Sequence, residues 1–503
     1  MLSGSTTDGS LTLDGSYKCT VTLAGLTMTN PSGAAINITN KKRIQLSVKN
    51  GTENTLIDGS NGSQKACIYS KGQLQLQGKG TLNVAGNTKH AIKSGDYITV
   101  KNLTLNITKA VGDGISCEEY FQMKSGTVSI SGVGDDGIQC DLGGDTSTGE
   151  TTDHDDEDSG NVYLEGGTLN ITVTAAAAKG IKADGDMVIS DGDIIVTTTG
   201  NGAYDSDERD AKGSSCLKAD NNMTISGGTL TLKSTGTGGK GIKADGMLTI
   251  TDGTISATTT GSQYRYSSNV TASPKAIKSD GAMTITGGTI VASSNNHEGI
   301  ESKSTLSITG GYVYAYAGDD AMNSASDFTI SGGYVFGNSS GNDGLDANGN
   351  FYIKGGNVVA VATREPEVGI DANSEQRKQL YITGGNVVAI GGFENGSSIS
   401  GGTTKSASYS KGSWYGLYNG STLAFAFKVP SNNSMGTSMA VYTTDTPALK
   451  SGVTGSGTSF WNGYGYSSCS GGSDVTLSTY SGGNGGGGGW PGGGGWPGGG
   501  GWH

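Results

Sequence analysis

"KGIKADG" spans residues 179–185 and returns unchanged at 240–246. Near copies surround it: "CLKADNN" at 216–222, "KAIKSDG" at 275–281 and "EGIESKS" at 298–304. With the central apolar residue of each phrase as an anchor, one series emerges: Ile36, Ile68, Ile92, Ile115, Ile138, Ile181, Leu217, Ile242, Ile277, Ile300, Met322, Leu345 and Ile370. Successive gaps are 32, 24, 23, 23, 43, 36, 25, 35, 23, 22, 23 and 25 residues. The floor is 22–23, and the longer gaps are that unit plus an insertion. A stack of coils behaves this way, since a loop swells one coil without disturbing its neighbours.

Three strand-like pieces recur in each unit. The first is the anchor phrase, the second is "MTIS" at 223–226 or "LTIT" at 248–251, and the third follows a Gly-Gly or Asp-Gly turn. Examples of the third are "GGTLTL" at 227, "DGTISA" at 252, "GGYVYA" at 310 and "GGNVVA" at 355 and 384. Each alternates with period two, as a strand with one inward face does. The expected fold is all-β: a parallel β-helix of three strands per coil, right-handed because parallel crossovers favour that hand. At about 4.8 Å per coil the rod is on the order of 60 Å long.

Two small-residue columns support this fold independently. Two positions after the anchor stand Ser94, Cys117, Cys140, Ala183, Ala219, Ala244, Ser279, Ser302, Ser324, Ala347 and Ala372, as a tight interior requires. One position before it, Gly114, Gly137, Gly180, Gly241, Gly299, Gly344 and Gly369 alternate with Ala or Cys, which is turn chemistry. Cys117 and Cys140 are then expected to be buried, inert thiols on neighbouring coils. A disulfide involving Cys19 stays open.

Composition agrees with a narrow, elongated core. Of 503 residues 89 are Gly and only 33% are hydrophobic, yet Ile, Leu and Val recur regularly. Net charge is −12 and no basic cluster stands out, so binding to nucleic acid runs against electrostatics. No apolar run is long enough to span a membrane. The start, "MLSGSTTDGSLTLDG", reads as strand and turn and not as a signal peptide, so a removed targeting segment is expected upstream. The six Cys lack C-x-x-C pairs, which excludes the common zinc and redox motifs.

One residue after the anchor, facing outward, stand Lys93 and then Lys182, Lys218, Lys243 and Lys278 on consecutive coils. Two residues further on come Asp184, Asp220, Asp245 and Asp280. One reading is a self-neutralised solvated face; the other is a strip that pairs with uronate carboxylates at a spacing comparable to the sugar repeat. Surface pairs add little stability, so folding alone does not require them.

Two residues before the anchor, taken as a further outward column, carboxylates gather twice. The first group is Asp113, Asp135 and Asp136, with Glu118 and Asp141 nearby. The second is Asp319, Asp320, Asp343 and Asp346, flanked by Glu298, Glu301 and Asp371. Like charges one coil apart, without a cationic partner, call for a hard divalent ion. Calcium, which takes six to eight oxygens, fits such groups together with carbonyls of Gly-rich turns.

Three insertions interrupt the coils. Residues 143–160 are intensely acidic and are expected to form a mobile loop. Residues 199–215 and 259–274 both leave after the third strand and should rise on one edge, carrying Tyr204, Tyr264 and Tyr266 as candidate platforms for pyranose rings. The regular unit occupies 1–392, and residues 393–480 are expected to form an irregular β cap over the open end. The Gly-rich segment 481–503 carries Trp490, Trp496 and Trp502, and is expected to be a linker or an anchor on glycan.

"SGAAINI" at 32–38, "SQKACIYSKGQLQLQGKGTLNV" at 63–84, "TKHAIKSGDYITV" at 88–100, "GDGISC" at 112–117 and "GDDGIQC" at 134–140 resemble bacterial secreted carbohydrate-binding β-helix proteins, which are similar in fold to family 9 pectate lyases. The resemblance covers roughly residues 1–390 and the Gly-rich end. It implies an extracytoplasmic or cell-surface protein with bound calcium that binds cellulose or polygalacturonate-like acidic plant polysaccharides without cleaving them. In the lyases, Asp residues on adjacent coils hold calcium and a Lys removes the proton beside the uronate carboxylate. Asp113, Asp135 and Asp136 match the acidic phrase, with Lys179 one coil on and Lys182 beside it as candidate bases. The lyase pattern has a further Asp where this chain has Gln139. "NDGLD" at 342–346 keeps the full pattern, but its next coil offers Val368 and no Lys. Binding without chemistry is therefore the expected function. A calcium-dependent polysaccharide lyase and a cell-surface filament of copies stacked end to end are the alternatives.

Overall fold

The computed structural model describes residues 1–143, 159–431 and 435–482. Among them there is no α-helix; the one helical piece is a 3-10 turn at Ser374–Gln376. The chain forms a parallel β-solenoid of about 15 turns. Anchor strands make a 13-stranded parallel sheet that starts at Leu11–Leu13 and runs to Leu345–Ala347. Single bridges Leu345↔Ile370 and Ile370↔Phe393 extend it.

Insertions leave the register intact, as the spacing predicted. Ile138 lies opposite Ile181, Ile181 opposite Leu217, and Ile242 opposite Ile277. Two rungs lie outside the predicted series: Leu11 opposite Ile36 at one end, and Phe393 at the other. The second and third strands share a separate 28-stranded sheet. In five coils they fuse into single bent strands, Cys19–Asn30, Asn161–Val173, Met187–Thr198, Met223–Ser234 and Leu248–Thr259. The bend is a glycine corner. Gly228 has φ 83°, and a Cβ on Gly227 would stand 2.1 Å from the Ser190 carbonyl oxygen of the coil before. The positive φ recurs at Gly192 and Gly253 on the neighbouring coils, a backbone conformation that glycine adopts without strain.

The anchors are fully buried, and so is the small column two residues on. Each Ile or Leu taken out of water contributes about 1.5–3 kcal/mol, so a lean composition suffices when a few positions per coil do the burying. Cys117 lies opposite Cys140 in this interior, and burial pushes the Cys140 thiol well above its ordinary range. All six cysteines, the exposed Cys19 included, are free thiols.

The C-terminal region is more than a cap. Ser438–Thr443 runs antiparallel to Asn386–Ile390 and so covers the edge of the last coil. Beyond it, Trp414–Asn419, Thr422–Lys428, Pro447–Phe460 and Gly465–Asp474 close a four-stranded barrel. The barrel turns back along the side of the rod: Phe460 packs at 5.3 Å from Tyr312 and 4.7 Å from Tyr334, and Trp461 meets Phe336 edge-on at 5.4 Å. A signal for this was present in the third strands. One outward column passes from Thr231 and Ser256 through Val291 to Tyr314, Phe336, Val359 and Val388. An outward column that turns apolar marks a covered face. Residues 144–158 of the acidic insertion and the Gly-rich end with its three Trp lie outside the described residues.

Candidate functional site

The lysine column stands where the repeat put it. Lys182 lies opposite Lys218, Lys218 opposite Lys243, and Lys243 opposite Lys278. Three of the four ammonium groups bridge coils: Lys182 reaches Asp184 at 2.7 Å and Asp220 at 3.6 Å, and Lys243 reaches Asp245 at 2.9 Å and Asp280 at 3.9 Å. Lys218 holds Asp220 and Asp245, and Lys278 holds Asp280. Of the two readings, the self-neutralised lattice describes the ground state. A polyanion would have to displace these carboxylates to reach the outward lysines.

The column two residues before the anchor departs from expectation: it is buried, not outward. Asp113, Asp136, Lys240, Lys275, Glu298, Asp320 and Asp343 are all under 9% exposed. Strand alternation ends at the corner, where the preceding turn closes over these side chains. The aspartates satisfy backbone donors there. Asp113 accepts from the Asp136 N–H at 3.2 Å, Asp136 from the Lys179 N–H at 2.5 Å, Asp320 from the Asp343 N–H at 3.0 Å and Asp343 from the Val368 N–H at 2.6 Å. A carboxylate here has a structural role whether or not an ion binds.

The first acidic group does not converge. Asp113 pairs with His90 at 3.1 Å, and Asp135 is exposed. Burial pushes the Asp136 carboxyl up to about 7, with the Lys179 ammonium working against it. Lys179 donates to the Ala177 carbonyl, and burial holds its ammonium below the usual lysine range.

The second group divides. Asp319 joins His297 and Glu298, with His297 at 3.3 Å from Asp319. Asp343 and Asp346 converge with Asp371, each offering a carboxylate oxygen within 4.8 Å of the others. Asp320 and Asp346 share the Asn323 amide. No lysine, arginine or histidine pairs with Asp320, Asp343, Asp346 or Asp371 among the described residues; Lys275 and Lys303 are engaged by Glu298 and Glu301. Burial, then Asp371 and Asp320, pushes Asp343 up to about 9. Burial and Glu394 push Asp371 to about 8, and burial and Asp319 push Asp320 to about 7. Asp346 is raised as well, by burial and then by the same neighbours. Carboxylates held like this lack a positive charge. The all-oxygen donor set, at three successive coils, suits a hard cation. Sequence reasoning placed Asp371 only on the flank and did not include Glu394, which follows the added rung at Phe393.

The two hairpin insertions rise side by side, as expected. Ala203–Asp205 pairs with Asp210–Lys212, and Tyr264–Arg265 with Thr271–Ala272. Tyr204 and Tyr266 stack on each other at 3.9 Å and 7°, so they form one double-thickness platform and not two separate ones. Tyr264 packs over Gly202, where a Cβ would stand 2.6 Å from the ring. The first hairpin overhangs the lysine face and leaves two clefts. One, of about 450 Å³, joins Asp135, Asp136, Lys179, Lys182 and Tyr204. The other, of about 390 Å³, has Lys179, Lys218, Lys240 and Lys243 on one side and hairpin acids on the other.

Two clefts and the lysine column accompany the anchor sheet of this parallel β-solenoid. The carbohydrate-binding domain-containing protein family matches residues 1–258 and 235–321, and the chain belongs to that family. A carbohydrate-binding domain-containing protein of Acetivibrio thermocellus is 27% identical over 115 residues, which is 20% of this chain and 40% of that relative. The match thus spans well under half of the relative's length. A solved structure of a polysaccharide lyase-like protein from C. thermocellum, a gadolinium derivative, is 23% identical with a TM-score of 0.34, over 39% of this chain and 77% of that one. No helix among the described residues is long and apolar enough to cross a membrane.

Proposed function

We propose that the protein is an extracellular, non-catalytic polysaccharide-binding protein that takes acidic plant polysaccharide, cellulose or both, with calcium bound beside the anchor sheet. Membership of a carbohydrate-binding family supports the general part. The observation that carries the finer part is the convergence of Asp343, Asp346 and Asp371 with no lysine, arginine or histidine paired to them among the described residues. Asp320 and Glu394 would complete the donor set from neighbouring coils. A bound calcium would supply a positive charge to a uronate carboxylate. The chain's own residues orient the oxygens and, through the Asp343 to Val368 N–H bond, tie the ion to the backbone. Retention on polygalacturonate and on cellulose, with and without chelator, tests the reading. Retention on polygalacturonate that chelator abolishes is expected; no retention on either glycan sinks it.

One observation favours the lyase alternative: Lys179, with its lowered ammonium, shares a cleft with Asp135 and Asp136. A depressed lysine is what proton abstraction needs. Against it, Asp113 is engaged by His90, and Gln139 hydrogen-bonds Asp141 in the place of a further acid. A flat ultraviolet trace with polygalacturonate and calcium at alkaline pH is the expected result. A filament of stacked copies is disfavoured at one end, where Ser438–Thr443 covers the last coil.

A further inference from the structure

We propose that the floor of the second cleft, over Ser215 and between the ammonium groups of Lys179 and Lys240, is a subsite for one anionic sugar substituent, a carboxylate or a sulfate ester, held without metal. The inference rests on the acidic-polysaccharide reading and names where, apart from calcium, a charged sugar is gripped.

Lys179, Ser215, Lys240 and Lys275 occupy one column in unbroken register. Lys275 is neutralised by Glu298 and Glu301. Lys179 and Lys240 are different. Among the described residues neither forms an ion pair, and each donates only to a turn carbonyl, Ala177 O and Gly238 O. Lys240 is 8% exposed and donates at 2.9 Å, which leaves most of the donor capacity of a three-donor ammonium unused. Burial and the neighbouring lysines hold the Lys240 ammonium well below the usual lysine range, as a buried charge without a counter-charge requires, so a bound anion gains by restoring it.

The fold itself does not demand the charge. Ser215 takes the same position on the coil between them, buried without a charge, and that coil forms with the same strand pairing. Capping a turn carbonyl is the structural use of each lysine, and it uses one donor of three. The intervening small residue is what makes a site: two coils, about 9–10 Å of rise, separate the lysines, with only a hydroxymethyl group as floor. An oxyanion fits between two such cations.

The rim sets the selectivity. Asp205, Glu208 and Asp210 line the overhanging hairpin, and Lys212 is already paired with Glu208. These acids repel a run of anions, so a single charged substituent reaches the floor while neighbouring rings stay above. The cleft's size, about 390 Å³, is that of a small-ligand site.

Calorimetric titration of the full chain in excess chelator, with trigalacturonate, galactose 6-sulfate and cellotriose as probes, is the test. One or both acidic probes bind and cellotriose does not; which of the two binds tells carboxylate from sulfate. Lys240→Met should weaken binding at least about tenfold without lowering the melting temperature, since Met removes an unpaired buried charge at similar volume. Ser215→Asp places a carboxylate of the protein's own between the lysines, and should abolish binding while raising the melting temperature. No binding in chelator, unchanged binding by either variant, or a Ser215→Asp protein that melts lower overturns the subsite. If calcium-loaded protein is still retained on polygalacturonate, only this inference falls; if it is not, the functional reading falls with it.

Discussion

Two stretches of one sheet solve the same electrostatic problem in opposite ways. From Ile181 to Ile277 each coil sets a Lys one residue after the anchor and an Asp two further on, and every outward ammonium bridges to a carboxylate of its own or the next coil. From Met322 to Ile370 the same outward position holds Asn323, Asp346 and Asp371, and no lysine enters. The first stretch neutralises itself. The second has no lysine, arginine or histidine paired with its acids among the described residues, and burial together with mutual repulsion raises their carboxyls well above the usual range. Backbone geometry is shared, so the difference lies in side-chain choice alone. Such a contrast within one repeat array separates what builds a coil from what a coil is used for.

The largest effect expected concerns the acid end. Calcium at a hundredfold excess over its dissociation constant should stabilise the protein by about 2.7 kcal/mol, and the Asp343→Asn, Asp346→Asn double variant should lose that response in a thermal melt. A variant that keeps the full calcium shift would place the ion elsewhere.

The pH dependence of the same carboxyls comes next. A carboxyl whose folded pKa lies above its unfolded value of about 3.9 favours the proton-bound form, so its stabilising contribution is complete below that value and disappears as pH rises through the folded pKa. For Asp371 and Asp343 the loss runs from about pH 4 up to about 8 and about 9. In chelator the melting temperature should therefore fall across this window, and calcium should flatten the curve. A flat curve in chelator would show that the repulsion is relieved within the chain.

Asn323→Lys converts the acid end toward the lattice, because residue 323 lies opposite both Glu301 and Asp346. A gain of about 1–2 kcal/mol in chelator, with a weakened calcium response, is the expected outcome by equilibrium denaturation. The reverse change, Lys218→Met, leaves Asp220 and Asp245 short of a partner and should cost about 1 kcal/mol, since both acids are about one-third exposed. The smallest stability effect belongs to Tyr266→Ala, within about 0.5 kcal/mol, because that ring is 57% exposed. Its readout is glycan retention, which should drop several-fold if the Tyr204–Tyr266 stack meets a sugar face.

Much of the site was legible in the sequence and some of it was misplaced. Lys182 through Lys278 and their aspartates stand where alternation put them, because each sits inside a regular strand. The column of Asp113, Asp136, Lys240 and Asp343 was assigned to the surface and is buried, because alternation stops at the corner before the anchor. Tyr204 and Tyr266 were expected on one edge of the rod; that they stack on each other depends on the contact of two separate insertions, which no spacing in the chain specifies. The barrel's docking face was visible in Tyr314, Phe336 and Val359, yet its partner, Phe460–Trp461, carries no repeat that points back to it.

The sequence by itself determined the stack: a period of 22–23 residues with apolar anchors and small neighbours has one economical way to bury them, coil upon coil. Only the tertiary structure decided which charges meet. A period fixes height along the rod, whereas the direction a side chain takes at a corner, and what folds over it, is set by contacts between segments that share no pattern.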